Sequence, residues 1–394
     1  MDGVVKRASV GWRWGLGIYF GALSILTAWK GWAYYQQHSP WAIGGWLISY
    51  AAGWVRRGLS GTIFLKMSDF TGLDPGVEVW GAQVLTYTVL FGFLYLLLRQ
   101  LPPNARWVPV LLAPPLLLFQ MHEGGYRQEI LGLALLAALG WAAVSLPRER
   151  QSLLWGIAFW LLPVLTLAHE MALLFWPYLA GLYAWTFPKT ARRAWAWKAI
   201  LPGVVSAAVV AAGIWRGPLT PAEAQAIRAA IAARGYAMPL GGTLAWMTYP
   251  WERSFGYLLD LVLHHHYLAV YLAAWLAGLL AFWPLRSVWQ APESRILAGA
   301  WLVGGLALAA AAPLMADWGR LVYIHLMSLL VYTLVLARRY PHLLPRRAFR
   351  KRWQAVAAAA GWTLYALVWQ VPVCYCGGHT FFDLSWLAHL LKAT

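Results

Sequence analysis

The sequence predicts an all-α polytopic membrane bundle: one integral domain over residues 1–394, about eleven transmembrane helices, and a cytoplasmic N-terminus. Three observations predict it. Apolar and aromatic residues make up 61% of the 394 positions and charged residues only 11%, where a soluble domain carries about 25%. The apolar residues fall in long runs that lack the dyad alternation of barrel strands, so helices must satisfy the backbone in lipid. Lys and Arg, finally, concentrate in alternate connections between those runs.

Runs close to the roughly 17–25 residues that cross a bilayer lie at 12–35, 79–98, 107–121, 130–146, 151–168, 171–187, 199–215, 258–284, 296–315, 321–337 and 354–373. The first is long and has no small-residue cleavage site, so it reads as a retained span and not a removed leader. Two long outer connections follow from the alternation, 36–78 and 216–257. In the second, Thr220 and Glu223 have capping-box spacing, Pro221 falls at the first helical position and Gly235 ends the run, which predicts a short surface helix acting as a lid or facing lipid.

The formal charge of +17 suggests at first a nucleic-acid partner. Its distribution argues otherwise. With the N-terminus inside, the inner segments hold 20 of the 31 basic residues, among them Arg99, Arg106, Arg148, Arg150, Arg286, Arg338 and Arg339, against only Asp2, Glu149 and Glu293. The outer segments then balance, and topology together with anionic membrane lipid accounts for the whole excess without nucleic acid. Two Cys exclude a disulfide scaffold, and no CxxC, GxGxxG or P-loop is present.

The outer charges gather at helix ends, and ionisable groups at membrane depth are costly enough to mark functional sites. In GWVRRGLSG (53–61), Arg56 and Arg57 sit among glycines as planar donors suited to phosphate oxygens, as headgroup anchors, or as the mark of an inner re-entrant turn. HEGGYRQE (122–129) opens a helix. There Gly124 and Gly125 admit a ligand to the backbone, with Arg127 as a forked donor, His122 and Tyr126 beside it, and Glu129 either catalytic or an ordinary first-turn carboxylate. His169 and Glu170 stand alone between two apolar runs, a base and its electrostatic partner or a satisfied polar kink. Asp317 and Arg320, three apart, form a structural ion pair or a phosphate clamp with a base, and His325 lies further along the same run. Asp260 and His264 share a helical face that could hold a divalent metal but lacks a defined third ligand. Cys374 and Cys376 are too close for an unstrained bridge.

Three arginine centres, several carboxylates and a histidine in a membrane bundle suit transfer from a phosphate-linked lipid. The arginines neutralise the departing phosphate, and Glu170, His169, Asp317 or Glu129 takes a proton from the acceptor. On GWVRRGLSG, HEGGYRQE, the His169–Glu170 pair and DWGR, the chain resembles polyprenyl-phosphate-dependent membrane glycosyltransferases of the GT-C class, and equally the O-antigen polymerase and ligase type of envelope enzyme. The GT-C class usually has an acid early in the first outer loop, whereas here no acid falls between Asp2 and Asp69. The resemblance implies an isoprenoid-linked sugar donor, a glycan or lipid acceptor, a bacterial inner-membrane location and an extracytoplasmic active face. A flippase or transporter of an anionic lipid-linked substrate is the competing class, and it would be expected to show the inverted repeats that this sequence lacks.

Overall fold

The computed structural model describes residues 2–187, 189–239, 241–344 and 352–374. Every regular element among them is helical, with no strand. In chain order the α-helices are α1 (Asp2–Gln36), α2 (Gly58–Thr71), α3 (Pro75–Leu98), α4 (Val108–Leu112), α5 (Pro114–Leu117), α6 (Glu129–Ser145), α7 (Arg148–Ala168) and α8 (Trp176–Thr186). There follow α9 (Lys189–Arg216), α10 (Pro221–Ala232), α11 (Gly242–Trp246), α12 (Trp251–His264), α13 (Tyr267–Leu280), α14 (Ser294–Ala311), α15 (Trp318–Arg339) and α16 (Arg352–Val368).

Five helices among the described residues are long and apolar enough to cross a membrane: Pro75–Leu98, Arg148–Ala168, Ala196–Arg216, Ser294–Leu314 and Trp318–Arg339. A sixth counts if α13 and the 3₁₀ segment Trp283–Gln290, bent by 70°, form one span. The other expected runs differ for local reasons. Helix α1 has the length, but glycines and interfacial aromatics dilute its apolar residues. The run 107–121 is no single helix, because Pro114 and Pro115 separate α4 from α5, which is followed by a 3₁₀ turn at Phe119–Met121. Its broken backbone is buried against other helices, the setting in which irregular chain is tolerated at membrane depth. The run 171–187 divides into a 3₁₀ segment, Glu170–Phe175, and the short α8. Helix α6, with 17 residues, also falls short.

Helix α15 forms the axis. It packs against α3, α5, α6, α13 and α14, and its apolar window is completely buried. Helices α7, α9 and α14 stand outside and turn apolar side chains outward, such as Ile157, Trp160, Val204, Leu302 and Leu306. In water such a surface would aggregate, whereas in a bilayer it is the expected lipid-facing exterior.

The connections sort to two ends. Arg338, closing α15, bonds Gln100, and Arg106 donates to the Pro284 carbonyl at 3.1 Å. Residues 99–107, 283–290 and 338–343 thus form one end. About 30 Å away, at the start of α15, lie 36–57, 122–128, 169–174, 216–239, 241–257 and 311–317. There the expected surface helix is α10, with both halves of its capping box formed. It buries Ile227 and Ile231 and rests on the turn Tyr50–Ala52. Just after it, Arg234 clamps Asp69 at 2.7 and 2.8 Å, so α10 is tied to the first outer connection.

Candidate functional site

Three breaks in helical structure build the site. At the first, Arg57 takes the left-handed conformation (φ 64°) just before α2, after Gly53 at φ 89°. This turn is held tightly, since a Cβ on Gly61 would meet the Ile48 carbonyl oxygen at 2.2 Å. At the second, His122 and Arg127 are extended on either side of the 3₁₀ turn Glu123–Tyr126. At the third, α7 stops at Ala168, His169 is extended, and its Nδ1 accepts the Met171 N–H at 3.2 Å. Each break turns polar side chains inward where a continuous helix would turn them elsewhere.

Together with the start of α15, these breaks enclose a cavity of about 630 Å³. Arg56, Arg57, His122, Arg127, Glu170, Asp317 and Arg320 all line it. The structure therefore brings together side chains from four of the five sequence clusters. Glu129 and His169 lie immediately behind the wall, buried, with His169 Nε2 3.7 Å from Glu129 Oε1. Tyr126 does not reach the cavity. It is completely buried, and its hydroxyl donates to the Thr27 carbonyl at 2.6 Å, so it is a packing residue and not a substrate contact. His325 is also off the wall, bonded to the Tyr178 hydroxyl at 2.6 Å and stacked on Trp301.

Most of the arginines are already paired. Arg57 grips Glu170 with both Nε, at 2.7 Å, and Nη2. Arg320 bridges Glu129 and Asp317, the latter at 2.8 Å. Arg127 reaches Asp317 at 3.2 Å, also bonds Thr243 and the Trp41 carbonyl, and lies over the Trp41 ring. Of the two alternatives raised for Asp317–Arg320, the i,i+3 ion pair forms, and both residues line the cavity. The forks expected to await phosphate are spent on carboxylates, since a buried charge left unpaired is far costlier than a paired one.

Arg56 differs. It makes no hydrogen bond among the described residues, its nearest carboxylate oxygen is 3.9 Å away on Glu170, and its guanidinium lies over the Trp251 ring. Burial lowers its proton affinity, Glu170 opposes that, and Arg57 and Arg216 add to it. A charge in this position gains directly from an incoming anion.

Asp260 and His264 bond each other at 2.9 Å on an exposed surface and do not line the cavity. No group of three or more His, Cys, Asp or Glu suited to a metal occurs among the described residues. Cys374 stands on the cavity wall in a disulfide, and Cys376 lies outside the described residues, as do Arg346, Arg347, Arg350 and Lys351.

The sequence clusters did not single out Glu123, Thr243, or an aromatic wall made by Tyr34, Trp41, Trp54, Trp246, Tyr249, Trp251 and Tyr257. In a chain with 28 Trp, aromatic residues in the two outer connections carry little distinguishing signal. No protein-family model, curated protein or solved structure matches the chain, and the site is therefore read from its own chemistry.

Proposed function

We propose that this protein is a membrane glycosyltransferase that moves a sugar or oligosaccharide from an isoprenoid (poly)phosphate donor to a glycan or lipid hydroxyl, in envelope polysaccharide or glycolipid synthesis. The observation that carries this reading is the company kept by Arg56. A guanidinium without a hydrogen-bond acceptor shares one cavity with a wall of Trp and Tyr and an apolar flank of Leu173, Leu174, Val209, Val210 and Ile214. Phosphate, sugar ring and isoprenoid chain are three chemically distinct parts, and these surfaces suit each of them in turn. Arg127 and Arg320, fixed by their carboxylates, are held rigidly on the cavity wall, and Arg56 is the guanidinium left to meet the departing phosphate.

The two-ended sorting of connections supports eleven passages, some short or broken, with the N-terminus inside. The positive-inside rule puts the Arg106 and Arg338 end in the cytoplasm and the cavity on the extracytoplasmic side, as in a bacterial inner membrane. Contact of the basic end with anionic lipid follows.

The test is transfer in proteoliposomes from a panel of labelled polyprenyl-phosphate and polyprenyl-pyrophosphate sugars. Wild type forms a new glycosidic product, and Arg56→Ala lowers kcat/KM by about 10²–10³-fold, the cost of removing one electrostatic stabiliser. Donor carried across the bilayer without bond formation identifies a transporter and overturns the reading. Product length separates single transfer from polymerisation.

A further inference from the structure

On that reading of the cavity, we infer that Glu123 is the proton acceptor for the attacking hydroxyl, and that the arginine-bound carboxylates are holders of positive charge. Three carboxylates line the cavity: Glu123, Glu170 and Asp317. Arg57 takes both oxygens of Glu170, while Arg127 and Arg320 converge on Oδ2 of Asp317. A carboxylate already shared with a guanidinium is a poor acceptor for a further proton. Glu123 has no Lys or Arg within ion-pair distance among the described residues, even though Arg127 is four positions away, because the Arg127 donors are committed to Thr243, the Trp41 carbonyl and Asp317.

Glu123 is nonetheless held in place. The Ala42 N–H donates to Ser39 Oγ at 2.9 Å, which leaves the single hydroxyl proton of Ser39 to go to Glu123 Oε1. The backbone beside it is wedged, since a Cβ on Gly124 would lie 2.5 Å from Val373. One oxygen is thus oriented by Ser39, and Oε2 accepts no hydrogen bond from the described residues. A general base needs this combination of fixed position and spare lone pairs.

In the step itself, Glu123 takes the proton of the acceptor O–H, and the acceptor oxygen bonds to the anomeric carbon of the donor sugar. The bond from that carbon to the phosphate oxygen breaks, and its electron pair leaves on the phosphate, facing the arginines. Glu123 then returns its proton to water. Ser39 is a positioning residue.

The experiment measures kcat and donor KM for wild type, Glu123→Gln, Glu123→Asp, Glu123→Ala and Ser39→Ala, with thermal unfolding in detergent to establish folding. Glu123→Gln lowers kcat by about 10²–10⁴-fold with donor KM little changed, Glu123→Asp retains an intermediate rate, and formate restores part of the Glu123→Ala rate. Ser39→Ala lowers kcat several-fold without changing donor KM. Wild-type kcat in Glu123→Gln, or a folded Glu123→Ala that formate does not rescue, overturns the assignment while the transferase reading stands. A folded wild type that transfers nothing from any donor overturns both.

Discussion

At the residue scale, Arg56 and Arg57 are chain neighbours with opposite commitments. Arg57 and Glu170, mostly buried with side chains 13% and 24% exposed, complete each other's hydrogen bonding. Removing either one takes away the other's hydrogen-bonded partner, so Arg57→Ala and Glu170→Ala should each cost roughly 3 kcal/mol of stability, at the lower end for a buried pair because of that partial exposure and because Arg56 stays 3.9 Å from Glu170. The double variant should cost clearly less than the sum of the two, and a double-mutant cycle from unfolding in detergent checks the coupling. Arg56 has no such bond to lose. Its change to Ala should leave the melting midpoint close to wild type while impairing donor binding and transfer, and a loss of stability equal to that of Arg57→Ala would refute the distinction.

At the element scale, close helix contact depends on residues without side chains. A Cβ at Gly181 of α8 would lie 2.0 Å from the Ala300 Cβ of α14, and one at Gly304 of α14 would lie 2.3 Å from the Tyr178 ring of α8. Small residues allow such approach between helices in lipid. Gly181→Val should therefore destabilise by about 1–3 kcal/mol through overpacking, whereas Gly156→Ala, which meets nothing within 4 Å, should be neutral or slightly stabilising. Thermal unfolding of the two variants gives the comparison.

Helix α10 behaves as a separately tunable element. Hydrogen bonds from the Thr220 backbone and hydroxyl, with Arg216 nearby, hold the Glu223 carboxyl below its usual range. A depressed carboxylate adds stability above the unfolded-state value and loses it as pH falls through the folded one. Hydrogen-exchange protection of α10 should therefore fall as pH drops below about 4.3. In Glu223→Gln that acid-dependent part should be absent.

At the scale of the whole molecule, charge and cavity occupy opposite ends of α15. Alkaline phosphatase fused after Gly235 should be active and the same fusion after Gln290 inactive, because the enzyme folds only outside the cytoplasm. Equal activity at both positions would refute the orientation. The same polarity predicts that the Arg106 and Arg338 end, and not the cavity end, is protected from protease added to intact cells.

How much of this was legible beforehand depends on the range of the interaction concerned. Apolarity, capping at Thr220–Glu223 and the alternation of basic connections are local properties. The all-helical class with membrane-capable helices and helix α10 could therefore be read directly. Polar clusters at helix ends were visible for the same reason. Prolines at 114 and 115 also stood in the sequence, yet an expectation based on apolar length alone passed over the break they impose.

What only the tertiary structure decided is which charge meets which. Glu170 lies 113 residues from Arg57, and Asp317 lies 190 from Arg127. Whether a guanidinium is spent on a carboxylate or left for a ligand depends on how helices distant in sequence pack, and sequence spacing carries no record of that. Composition and periodicity were thus sufficient for the class and for the residues worth watching. The pairing that spends Arg57 and Arg320, and leaves Arg56 without a hydrogen-bonded carboxylate and Glu123 without an arginine, is a product of packing, because ion pairs form between neighbours in space.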